Sequence, residues 1–144
     1  MKILVINGPN INMLGTREPE IYGSTTMNDI NQELVDFSKT LGSIEFEFFQ
    51  SNHEGEIVDK IQASINFDGL IINPAAYTHT SVAIADAIKA VNIKAIEVHL
   101  SNPQQREDYR KISFTASACV GVVAGFGKES YKLALAGLVK KINE

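Results

Sequence analysis

Glu97 and His99 stand two residues apart in the otherwise apolar run 95–100. Side chains alternate across a strand, so the pair shares one face. A carboxylate beside an imidazole most often orients the ring for proton transfer. With His79 added, the same groups include three donors of the kinds that hold zinc, a less common use of such a pair. His53, in the polar stretch 51–54, reads as a loop hydrogen-bonder. Cys119 is the only cysteine, so no disulfide forms within the chain. Its apolar, strand-like neighbours make it a small core residue rather than a nucleophile. Arg17 and Tyr22 lie in a stretch with Gly15, Pro19 and Gly23 and no apolar period. Such a segment is either a plain surface loop or a lid, since glycine-ended loops often close over sites. Residues 125–130 half resemble a dinucleotide-binding loop but lack its third glycine.

The elements that must carry these groups alternate between buried apolar runs and helical periods. Residues 3–6 form a continuous apolar run, the pattern of a strand covered on both faces. Met27, Ile30, Leu34, Phe37 and Leu41 mark one stripe of a helix over 26–41. Thr26 and Asp29 make its capping box, and Gly42 stops it. Residues 44–49 predict a second strand. Ile57, Val58, Ile61 and Ile65 predict a second helix, followed by a turn at 66–69. A short strand at 70–72 closes at Pro74. Val82, Ala85, Ile88 and Val91 predict a third helix capped by Thr80. Strands follow at 95–100 and 119–124, with a last helix at 130–142. Between these two strands, residues 103–111 are short and polar and predict only one or two turns. Strand–helix–strand units join by right-handed crossovers into a parallel sheet. Five of them predict an α/β, flavodoxin-like, doubly wound sheet in the order 2-1-3-4-5 with helices on both faces. The 144 residues suit one domain, 1–144.

In such a sheet the ligand site lies beyond the carboxyl ends of the strands. The first strand leads into Asn7, Gly8, Pro9, Asn10 and Asn12, and the second into Ser51, Asn52, His53 and Glu54. The third leads into Asn73 and Pro74, with His79 close behind, and the fourth into His99, Ser101 and Asn102. Amides, hydroxyls and imidazoles dominate this rim, which suits a polyhydroxylated, anionic small molecule. The net charge is −4 and no more than two basic residues adjoin, which speaks against a nucleic-acid partner. No apolar run approaches the roughly 20 residues of a membrane span. The apolar opening is too short for a signal peptide, and one cysteine suits a reducing cytoplasm.

Longer blocks are more specific. Residues 7–15 (Asn-Gly-Pro-Asn-Ile-Asn-Met-Leu-Gly), with Arg17-Glu18-Pro19 and Tyr22-Gly23, resemble the opening of type II 3-dehydroquinate dehydratases. The resemblance continues through 50–56, 73–81 and 97–102, then Arg106-Glu107, Arg110 and 121–127. These blocks span nearly the whole chain in the family's order and spacing. Residues 103–109 depart from the pattern: the family often has an aliphatic residue and then Arg-Glu-Pro-Phe-Arg there, whereas this chain reads Pro-Gln-Gln-Arg-Glu-Asp-Tyr before Arg110, with the arginines in their places.

The resemblance implies a cofactor-free hydro-lyase that converts 3-dehydroquinate to 3-dehydroshikimate in the shikimate pathway. It implies Tyr22 as base, with Arg17 favouring its phenolate. His99 is then the acid that protonates the departing hydroxyl, and Glu97 holds its ring. Asn10 stabilises the enolate through a water, while Asn73, His79, Leu100, Ser101 and Arg110 bind substrate. Asp86 reaches a neighbouring subunit's site in a homo-oligomer, a dodecamer built of trimers. Two other classes compete. A receiver-like module would need paired acids after the first strand, where Asn7 and Asn10 stand. A nucleotide or flavin binder would need a phosphate-cradling loop there, and Pro9 with its asparagines makes a poor one.

Overall fold

The computed structural model describes residues 1–16 and 18–144, and every side chain among them except that of Tyr22. Arg17 and the Tyr22 side chain therefore lie outside the described residues. The strands are β1 (Lys2–Asn7), β2 (Glu45–Gln50), β3 (Gly69–Asn73), β4 (Ala95–His99) and β5 (Gly121–Ala124). All pair in parallel in the expected order, β2-β1-β3-β4-β5. The apolar runs of β1, β3 and β4 are buried because each faces helices on both sides, whereas the edge strands β2 and β5 are only partly covered. Ile3 and Val5 join Ile71, Ile96 and Val98 beneath α2 (Met27–Ser38) and α5 (Glu129–Asn143). Leu4, Ile6, Leu70, Ile72 and Ala95 pack on the opposite face beneath α3 (Glu54–Gln62) and α4 (Val82–Val91). Each valine, leucine or isoleucine among them contributes about 1.5–3 kcal/mol by leaving water. Glu97 and His99 continue the face of Ala95, so the pair emerges from the α3/α4 side.

The helix ends show how local chemistry sets length. At α2, Thr26 Oγ1 accepts from Asp29 N (3.1 Å) and the Asp29 carboxylate accepts from Thr26 N (3.0 Å). That helix ends at Ser38, short of the expected 41, and residues 39–41 continue only as turns. Ser81, not Thr80, caps α4, accepting from Ile84 N at 3.0 Å. The Thr80 N–H instead donates to Tyr77 O, closing the 3-10 turn Ala75–His79. Val82 is consequently on the outside of α4, 55% exposed. Ile65 falls beyond the end of α3 and is also exposed.

Two further expectations are corrected. Cys119 precedes β5 and ends the 3-10 turn Ala116–Ala118, because its N–H donates to Ala116 O rather than to a neighbouring strand. It still packs against the α3/α4 core, and burial together with the charge of Glu97 pushes its thiol up to about 12. In the stretch that reads as an irregular loop, Pro19–Tyr22 forms a one-turn helix, α1, with proline at its first position. The polar link after β4 holds single 3-10 turns at Pro103–Gln105 and Asp108–Arg110, as the short polar stretch predicts.

Candidate active site

Each strand end delivers something different to one cleft. At β1, Gly8 N donates to Asn73 O (2.8 Å), and a Cβ on Gly8 would sit 2.5 Å from Pro74 O. The β1 and β3 ends can meet this closely only at glycine. That contact sets Pro9 and Asn10 on the rim. Asn10 takes the left-handed conformation (φ 69°) that asparagine tolerates, and its N–H donates to Asn52 Oδ1 at 3.0 Å.

Asn73 is buried at the end of β3. Its Oδ1 accepts from Ala75 N (3.1 Å) and its Nδ2 donates to Tyr131 OH (2.9 Å). Tyr131 in turn donates to Asn7 Oδ1 at 2.6 Å. Burial raises the Tyr131 pKa, which the bond from Asn73 offsets only in part, so the phenol stays neutral. His79 follows on the 3-10 turn after β3. Its Nδ1–H donates to Ile112 O (2.7 Å), which leaves Nε2 as the ring's second polar atom.

At β4, His99 Nε2–H donates to Glu97 Oε1 at 2.7 Å. Ser113 Oγ stands 3.0 and 3.1 Å from the two Glu97 oxygens, and Thr115 Oγ1 donates to Oε2 at 2.5 Å. Burial acts to raise the Glu97 pKa, but the bonds from His99, Thr115 and Ser113 and the His99 charge outweigh it and hold the carboxyl below its ordinary value. The ring is therefore held at Nε2, and Nδ1 is the nitrogen left to work on a ligand. Arg106 Nη1 donates to Ser101 Oγ (3.4 Å), and Arg110 Nε donates to Glu107 Oε2 (2.8 Å).

One cleft is lined by Asn10, Asn73, His79, His99, Leu100, Ser101 and Arg110, together with Arg106. The fold thus gathers seven of the sequence-predicted site residues. Glu97 stands behind His99. Asp86 lies exposed on α4 and does not line the cleft, while Arg17 and the Tyr22 side chain are outside the described residues. Sequence reasoning missed Ser113, Thr115 and Tyr131. The only signal was a pair of hydroxyls two apart in a polar loop and a tyrosine in a helical stripe. The His53 N–H donates to Ser51 Oγ (2.9 Å) at the entry to α3, and its ring makes no cap bond to that helix. Among the described residues no three His, Cys, Asp or Glu side chains converge as metal ligands. The Gly125 and Gly127 amides donate to His99 O (3.3 Å) and Leu100 O (2.9 Å), which engages the N–H groups a dinucleotide loop would offer to phosphate. No helix among the described residues is long and apolar enough to cross a membrane.

A carboxylate-held imidazole facing amides and guanidiniums at a sheet's carboxyl edge defines an acid–base enzyme of small polar molecules on a doubly wound fold. Residues 1–139 match the family model described as dehydroquinase class II. The chain is 57% identical over 141 residues to the 3-dehydroquinate dehydratase of Campylobacter hominis, covering 97% of this chain and 90% of that one. It is 55% identical to the 3-dehydroquinate dehydratase of Geotalea daltonii over the full length of both. The crystal structure of a type II dehydroquinase from Butyrivibrio crossotus superimposes with a TM-score of 0.92 at 49% identity, covering 96% and 97% of the two chains. The chain belongs to the class II dehydroquinase family.

Proposed function

We propose that this chain dehydrates 3-dehydroquinate to 3-dehydroshikimate, the hydro-lyase step of the shikimate pathway that leads to the aromatic amino acids. The observation that carries this is His99, held at Nε2 by a buried Glu97 and facing a cleft of amides and guanidiniums. The reaction is an anti elimination through an enolate. Tyr22 takes the proton from the carbon beside the ketone, with the Arg17 guanidinium favouring its phenolate. Both roles rest on the resemblance of residues 7–23 to the family. Asn10 stabilises the enolate oxygen through a water. As the enolate collapses, the tertiary hydroxyl leaves as water with the Nδ1 proton of the His99 imidazolium, and the ring returns to the neutral form that keeps its hydrogen on Nε2. Asn73, His79, Leu100, Ser101 and Arg110 hold the substrate, and the guanidinium suits its carboxylate. No cofactor takes part, since the enolate needs only hydrogen-bond donors. Residues 1–139 match the family and residues 1–144 serve as one catalytic domain. The working form is a homo-oligomer, a dodecamer, in which Asp86 completes a neighbour's site, and the enzyme works in the cytoplasm.

The test is direct. Adding 3-dehydroquinate should produce the ultraviolet absorbance of a conjugated enone. A general acid contributes roughly 10²–10⁴ in rate, so His99→Ala should lower turnover by about that factor while substrate still binds. If turnover held and only binding weakened, His99 would be a substrate ligand and not the acid.

A further inference from the structure

Behind His99, residues 111–120 pass over the Glu97 carboxylate before entering β5. This strap is pinned on two sides. Phe114 N donates to Thr78 O (2.9 Å), ahead of α4, and Val120 N donates to Ala95 O (2.8 Å), at the start of β4. Thr115 is wholly buried, and its carbonyl accepts from Ala118 N (3.0 Å) and Cys119 Sγ (3.5 Å). Ser113 Oγ accepts from Ala116 N at 3.0 Å, so its one hydrogen is available to the carboxylate. Glu97 is therefore met by three side-chain donors: the Ser113 hydroxyl, the Thr115 hydroxyl and His99 Nε2–H.

We infer that Ser113 and Thr115 are positioning residues for the acid. Their hydroxyls hold Glu97 as an acceptor, which keeps hydrogen on Nε2 of His99 in both its charged and its neutral form and leaves the Nδ1 proton of the charged ring for the departing hydroxyl. A protonated Glu97 would bring a further hydrogen among these donors, and a hydroxyl could take it only by turning its own hydrogen away from the carboxylate. Where His99 takes it instead, Nε2 becomes the acceptor and the neutral ring carries its hydrogen on Nδ1. The hydroxyls guard against that exchange. The other titratable or charged groups around Glu97 are His79 from the turn after β3, Arg110 and Lys111 from the link after β4, and Cys119 from the end of the strap.

This inference rests on His99 being the acid, and the experiment separates the two. Thr115→Val, Ser113→Ala and the double variant are assayed across pH in the full-length protein. A hydrogen bond to a charged group carries enough free energy that each lost hydroxyl should lower kcat about tenfold, with KM little changed. Without the donors, burial dominates and Glu97 protonates at higher pH, so the acidic limb of the kcat profile should move upward. Thr115→Ser should restore the wild-type profile. Adding Glu97→Gln to the double variant should cost less than it does in the wild type, because the residues act as a unit. A lowered melting temperature with an unmoved profile and additive effects would mean a purely structural strap and would overturn the inference. Nitrogen NMR of wild-type His99 needs no variant to fold: the Nε2–H tautomer supports the clasp, and the Nδ1–H tautomer refutes it. If His99→Ala kept full turnover, the acid assignment and the clasp would both fall.

Discussion

Tyr131 takes no part in the proposed chemistry, yet its hydroxyl ties Asn73 to Asn7 and is the only buried phenol among the described residues. Removing it strands an amide hydrogen and an amide oxygen where water does not reach. Such orphaned groups cost about 1–3 kcal/mol, more than the bond itself contributes. Tyr131→Phe should therefore lose roughly that much stability in denaturant unfolding. It should also raise KM, because Asn73 would no longer be held at one angle to the substrate. Unchanged KM alongside lost stability would remove Asn73 from the binding set. The contrast with Glu97 is instructive. Its partner His99 lies two residues away, and period-2 alternation alone reveals the pair. Ser113 and Thr115 lie 16 and 18 residues from Glu97, and Tyr131 lies 124 from Asn7. No local spacing encodes partners that only the closed sheet brings together.

Among the elements, the ends of β1 and β3 depend on Gly8. A Cβ there would meet the Pro74 carbonyl at 2.5 Å, and backbone cannot swing aside as a side chain can. Gly8→Ala should force the two strand ends apart, costing about 1–3 kcal/mol as overpacking does, and should displace Pro9 and Asn10 from the rim. Gly55, in α3, meets nothing within 4 Å of an added Cβ. Gly55→Ala should instead stabilise by about 0.5–1 kcal/mol, the helix-propensity difference. Paired thermal melts and turnover assays check both, and a harmless Gly8→Ala would show that the strand ends relax freely. The strands were legible because runs such as 3–6 and 70–72 have no other stable place than between two helical layers. The capping box of α2 was legible because both its members are local. Boundaries failed where neighbours competed on equal terms. Thr80 and Ser81 are adjacent hydroxyls, and only the turn Ala75–His79 decides that Ser81 faces the first turn of α4. Cys119 reads as strand on apolar content, but a 3-10 turn claims its N–H first.

At the scale of the whole molecule, several of the large apolar residues left outside share one stretch of chain. Ile112, Phe114, Val120 and Val122 are 66%, 44%, 48% and 50% exposed, and all lie on the strap or on β5, an edge of the sheet. An open edge lined by such side chains invites another chain unless something covers it. Asp86, exposed on α4 and outside its own cleft, is the group expected to serve a neighbour. Closed symmetric assembly would cover the apolar edge in every copy and leave no open end to grow. Light scattering should therefore report a large homo-oligomer, and Val122→Lys should shift it toward smaller, less active species. Shared sites make a sharper demand. Asp86→Ala should lower activity, as should His99→Ala, since each removes one component of every site. Unfolding and refolding the two variants together should restore part of the activity. Sites that pair the intact His99 of one subunit with the intact Asp86 of the next are then whole. Sites confined to single chains would gain nothing from mixing, because each would still carry its own defect. A fully active monomer, or mixed oligomers no better than either parent, would mean that Asp86 acts within its own subunit or not at all.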